Sequence, residues 1–139
     1  MEVFTNMSLE KAVRAVLTAD GTVSGLVASR VYPMRRPQGS ALPAIVYSNV
    51  FTEQNQAVAT QTGIRRTRLS VDCISSTYGG VKTLRDAVES ALVNYSGTGS
   101  GETIHSLRLE SAVDLDQENI PASQFGAFRV VMDFIAWHE

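Results

Sequence analysis

After Leu9, apolar residues recur at Val13, Val16 and Leu17, the spacing that puts one buried face on a helix over residues 9–19. Ser8 stands where an N-cap serine accepts from the first-turn N–H groups. Glu10 suits the positive end of the helix dipole, and Asp20-Gly21 ends the element. Residues 22–27 predict a further short helical turn. Pro33, Pro37 and Gly39 then make an irregular loop, neither helix nor central strand. The β-branched and aromatic run AIVYSNVF, 44–51, predicts a strand, as does 64–75, where Leu69, Val71 and Cys73 alternate with Arg66, Arg68, Ser70 and Asp72. Between them, TEQNQAVATQTG (52–63) reads as a loop too long and polar for a tight hairpin.

The second half repeats this order. Val81, Leu84, Val88, Ala91 and Leu92 share one face of a helix over 81–93. A strand over 103–112 follows, with Leu107 and Leu109 inward. A second long loop, 113–126, is acidic and broken by Pro121. The closing strand, 127–137, places Phe128, Val130, Met132, Phe134 and Ala136 on one face. Its other face, with Val131, Ile135 and Trp137, is too apolar to lie wholly in water. The pattern predicts an α+β fold: a mainly antiparallel sheet of about four strands with two main helices packed on one face. At 139 residues the chain makes one domain, 1–139, with 1–7 expected as a flexible N-terminal segment.

Composition narrows the chemistry. With 44% hydrophobic and 19% charged residues the chain is an ordinary globular protein. A single cysteine, Cys73, leaves no internal disulfide and too few thiolates for a zinc or iron–sulfur site, and the alternation makes it a buried core residue. The start MEVFTNMSLEKA has no leader pattern, and no window reaches the ~18 apolar residues of a membrane span, so a cytoplasmic origin with no membrane partner is expected. Net charge is −2, which argues against nucleic-acid binding by bulk charge. The charge is unevenly placed. From Arg30 to Arg85 there are eight basic residues against Glu53 and Asp72, whereas from Asp86 to Glu139 nine acidic residues face Arg108 and Arg129. Either folding interleaves the two signs, or the basic side of one copy meets the acidic side of the next, as a head-to-tail ring requires.

NYSGTGSGET, 94–103, looks like a phosphate-cradling loop, and its glycines carry the alternative reading of a small nucleotide-binding or hydrolytic enzyme using Gly97, Gly99 and Gly101. A Walker loop, however, needs a strand before, a helix after and a lysine where Glu102 stands; here a helix precedes and a strand follows. The histidines, His105 and His138, lack any triad signature, and a structural role is expected for both. Asp114, Asp116 and Glu118 are spaced like the start of a calcium loop whose glycine and closing glutamate are missing. No catalytic residue, cofactor or metal is predicted. Arg35, Arg36 and the Arg65, Arg66, Arg68 cluster lack the interleaved aromatics of a nucleic-acid platform. Ion pairs to a protein neighbour are their expected use, and a DNA-binding neck protein is the rival.

The ordered segments Arg30-Val31-Tyr32-Pro33, Pro37-Gln38-Gly39, Leu42-Pro43-Ala44-Ile45-Val46-Tyr47, Arg66-Thr67-Arg68-Leu69-Ser70-Val71-Asp72-Cys73, Thr77-Tyr78 with Val81, Leu84, Val88, Ala91 and Leu92, and the ending Met132-Asp133-Phe134-Ile135-Ala136-Trp137-His138 are the informative feature. In this order the chain resembles, from about residue 9 to 138, the tail-completion or tail-terminator family of long-tailed bacteriophages and prophages. The resemblance implies a structural virion protein assembled in the host cytoplasm. It implies a homo-oligomeric ring, a hexamer, that caps the head-proximal end of the tail tube, stops tube polymerisation and meets the tail tube protein and the head–tail connector or stopper. DNA would pass through the lumen without specific binding, and no enzyme activity or cofactor is implied. Arg35, Arg36, Gln54, Asn55, Gln56, Arg66, Arg68, Asp114, Asp116 and Glu118 are the candidate subunit, tube or neck contacts. The glycine-rich 95–102 segment matches no family signature.

Overall fold

The computed structural model describes residues 8–37, 39, 41–56, 61–93, 95–99, 101–116 and 128–139; at 8, 53–56, 61–63 and 116 it describes the backbone alone. The predicted N-terminal segment 1–7 lies outside the described residues. Helix α1 (Ser8–Ala19) and the short α2 (Gly21–Val27) lead into β1 (Val31–Pro33), β2 (Ala44–Gln56) and β3 (Gln61–Ser75). Helix α3 (Tyr78–Leu92) follows, then β4 (Gly97–Gly99), β5 (Glu102–Asp116) and β6 (Phe128–His138). The strands form one sheet in the order β1-β2-β3-β6-β5-β4.

The α+β class and the helix positions match the sequence pattern, but the sheet is larger than expected. It has six strands and is mixed, because β1 runs parallel to β2 while every other pair is antiparallel. The two additional strands, β1 and β4, are three residues each and close the opposite edges. The predicted loop 52–63 is mostly strand, since β2 runs on to Gln56 and β3 starts at Gln61. Likewise β5 continues to Asp116 through what reads as the start of the second loop. The β2 extension, Thr52 to Gln56, is polar at every position, so alternation could not reveal it, whereas Val113-Asp114-Leu115-Asp116 of β5 does alternate but leaves Val113 and Leu115 exposed; backbone pairing with the neighbouring strand holds both.

The helices cover one sheet face. Val13, Leu17, Val23, Leu84, Val88 and Leu92 pack there on Ile45, Leu69, Val71, Met132, Phe134 and Ala136. Asp20 caps α2 by accepting from the N–H groups of Thr22 and Val23, each at 3.0 Å, and Thr77 caps α3 by accepting from Gly80 at 3.0 Å. On the other face Leu42 covers the buried Val46 and Ile74. Ile135 on that face is fully buried, in line with the apolar character expected there. Cys73 sits in the main core beneath the helices, where burial, aided by the charge of Asp72, pushes its thiol up to about 12. Folding therefore favours the neutral thiol, and the stability this contributes is complete below the ordinary thiol pKa of 9.0 and is lost as pH rises toward 12. Native protein should accordingly resist alkylation at neutral pH and label fully once unfolded in urea. Labelling of the native state at the rate of a free thiol would contradict this placement.

Candidate assembly surfaces

The β2–β3 hairpin outruns the rest of the sheet. Pairing of β3 with β6 stops at Arg65 opposite His138, while β3 itself begins at Gln61, so the hairpin reaches roughly 13 Å past its neighbour. The candidate contacts Gln54 and Gln56 lie on this extension, opposite Arg65 and Gln61, with Asn55 at a register irregularity between them. Arg66 and Arg68 sit at its base, opposite Trp137 and Ile135 of β6. At the other end of the sheet β5 and β6 finish together, Asp116 facing Phe128, and Ser75 of β3 ends there too. Candidate contacts Asp114 and Asp116 are at that end, about 26 and 33 Å from Arg65 along the strand direction. Glu118 lies outside the described residues. Arg35 and Arg36 follow β1 at the sheet edge, Arg35 exposed and Arg36 half-buried. The candidate residues therefore form three separate surfaces rather than one site.

Several of the charges serve the fold itself. On the helix-free face Arg68 Nη1 meets Asp133 at 3.4 Å, and Arg129 Nη2 meets Asp72 at 2.6 Å, both across strands. Asp114, read from sequence as part of an acidic loop, is on β5 and accepts from Lys82 Nζ of α3 at 2.7 Å and from the Tyr78 hydroxyl at 3.1 Å. The Lys82 hydrogen bond holds the Asp114 carboxyl below its ordinary range, and the same bond raises the Lys82 ammonium. Tyr78 also meets the Phe128 ring edge-on at 5.9 Å. This cluster fastens the end of the β5–β6 pair to the first turn of α3.

A polar chain at the opposite end, buried at Glu102, His138 and Thr67 and exposed at Thr52 and Asn49, was not foreseen. His138, of which 3% is exposed, bonds through Nδ1 to the Glu102 carboxylate, itself 4% exposed, and through Nε2 to Thr67 Oγ1 at 2.7 Å. Thr67 Oγ1 continues to Thr52 Oγ1 at 2.9 Å, Thr52 accepts from Asn49 at 3.0 Å, and Asn49 reaches Glu10 of α1 at 3.3 Å. Hydroxyl, imidazole and carboxylate are connected in the order of a catalytic triad. Thr67 is wholly buried, however, and its hydroxyl is bonded on both sides, so no substrate can reach it. The chain instead ties the base of the β2–β3 hairpin to β5, β6 and α1. Bonded neighbours in it lie up to 71 residues apart, so no local motif could show them. His105 pairs with Glu139 at 2.9 Å on the surface.

The glycine-rich segment becomes a tight β4–β5 hairpin. Gly99 faces Glu102 across the turn, and Gly101 takes φ +80°, a conformation that suits glycine. Thr98 and Thr103 join their hydroxyls across it at 3.1 Å. A strand follows, so no helix N-terminus points at a phosphate, and the Glu102 carboxylate is turned inward to His138. Among the described residues no three His, Cys, Asp or Glu side chains converge as metal ligands, and no helix is long and apolar enough to cross a membrane.

Among the described residues every buried polar side-chain atom is bonded, and the β2–β3 hairpin and the β5–β6 pair end at opposite ends of the sheet. The family model for Tail completion protein gp17 matches residues 11–139, and the chain belongs to that family of phage proteins. It is a structural protein of the virion tail. Among solved structures, a chain in the virion of a native gene transfer agent particle is similar over 95% of both chains, with a TM-score of 0.71 and 23% identity, a likeness that carries the fold. No curated protein matches the sequence.

Proposed function

We propose that the protein forms a closed ring, a hexamer, that caps the head-proximal end of the tail tube, ends tube polymerisation and joins the tail to the head connector or stopper. The supporting observation is the polarity of the fold: the β2–β3 hairpin and the β5–β6 end lie at opposite ends of the sheet, each braced by its own polar cluster. A ring between a tube and a connector needs two such opposed surfaces. The virion setting of the similar gene transfer agent chain agrees with this reading. Each copy brings a net charge of −2, so the ring as a whole is acidic and lets DNA pass through its lumen without specific binding.

Native mass measurement tests the ring. Six copies of a 15.1 kDa chain give about 91 kDa, in solution or on isolated tail ends. A monomer in both settings contradicts the proposal. DNA affinity should be weak and nearly independent of salt; affinity falling steeply with added salt would favour the DNA-binding rival instead.

A further inference from the structure

Met34 is the most exposed large apolar side chain among the described residues, at 73%, and its backbone is held at φ +65°, in the left-handed region that a side chain disfavours. The conformation is locked: Met34 N–H donates to Tyr47 C=O at 2.8 Å and Arg35 N–H to Pro33 C=O at 2.6 Å. A disfavoured backbone held in place while it presents an apolar side chain to water makes Met34 a candidate contact residue. It projects beside β1, one edge of the sheet, with exposed Arg35 next to it.

At the other edge, a groove runs between α1 and β4, lined by Ala12, Ala15, Val16, Ala19, Tyr95 and Thr98. Its mouth is marked by Asp20, which also lines the adjoining depression over Thr22, Thr83, Asp86 and Ser90. The groove is apolar, as Met34 is, and it carries the carboxylate of Asp20, which caps α2, beside that of Asp86, which pairs with Arg85 at 3.0 Å; both are opposite in sign to Arg35. Because β1 and β4 close opposite edges of one sheet, the two patches cannot meet within a molecule. Between molecules they meet head to tail, the type of contact that closes a ring.

We propose that Met34 of one copy inserts into the α1–β4 groove of the next, with Arg35 facing the carboxylates of Asp20 and Asp86. This rests on the ring reading above, and it gives the glycine-rich hairpin a role, since β4 forms one wall of the pocket.

The test uses full-length chains. A Met34→Cys protein is mixed with an Ala15→Cys protein and treated with a short bis-maleimide, the native Cys73 being buried. A covalent dimer in the mixture and in neither variant alone is expected. Met34→Gly is the second variant: glycine accepts φ +65°, so the fold should be unharmed while self-association weakens about tenfold or more. Oligomers that form without this cross-link, or that Met34→Gly leaves unchanged, overturn the contact and leave the ring standing. Cross-linking of Met34→Cys to another tail protein in its place also overturns it. Monomers alone, both in solution and on tail ends, overturn the ring and the contact together.

Discussion

Replacing His138 with alanine is expected to destabilise the folded chain by about 3–5 kcal/mol, because it strands a buried carboxylate without its partner. Glu102 is 4% exposed, and its carboxylate is bonded to His138 Nδ1. No buried side-chain polar atom among the described residues is without a bond in the intact protein, so the variant would create a defect where none exists. Glu102→Gln, which keeps an oxygen to accept from the imidazole, should cost less, about 1–2 kcal/mol. The double replacement of Glu102 and His138 by alanine should cost less than the sum of the single changes. Urea unfolding measures all three. An effect of His138→Ala below about 0.5 kcal/mol would contradict the assigned partnership. Through Thr67 and Thr52 the same loss should loosen the base of the β2–β3 hairpin, so amide exchange there should quicken before global unfolding.

Phe134→Ala is expected to have a comparable effect, about 3–5 kcal/mol, by a different mechanism. Phe134 is fully buried and is the largest such side chain in the described core. It faces Leu69 on β3 and Leu109 on β5 and lies beneath the helices. Truncation leaves a cavity at the centre of the sheet, where main-chain pairing on both sides limits collapse. Phe134→Leu, which keeps most of the volume, should recover more than half of the loss. Equal losses for the two variants would mean that the site is less tightly packed than the structure shows.

Much of the fold was legible because burial writes a period into the sequence. Leu9, Val13 and Leu17 announced α1, Leu84, Val88 and Leu92 announced α3, and the alternation from Phe128 to Ala136 announced β6; all were found where expected. The β2 extension was not legible, since TEQNQ carries no one-sided pattern, and in the β5 extension the acidic residues and the nearby Pro121 outweighed the alternation of Val113-Asp114-Leu115-Asp116. A strand that has lost its apolar face looks like a loop. The β4 strand was hidden by its glycines, which signal freedom of the backbone but not the pairing that uses it. For the surfaces, the sequence showed which residues were charged but not their partners. Arg68 and Asp133, or Lys82 and Asp114, are brought together by strand register and by helix placement, over 65 and 32 residues. The Glu102–His138–Thr67 chain is the sharpest case: Glu102 was noticed as the wrong residue for phosphate, while its actual partner lay 36 residues away.

The proposed role of this virion protein, ending the tail and joining it to the head, is tested by electron microscopy of particles assembled without it. Tails of excessive or uneven length and heads with no tails attached are expected, both corrected when the intact chain is supplied. Tails of normal length joined to filled heads in its absence would contradict it.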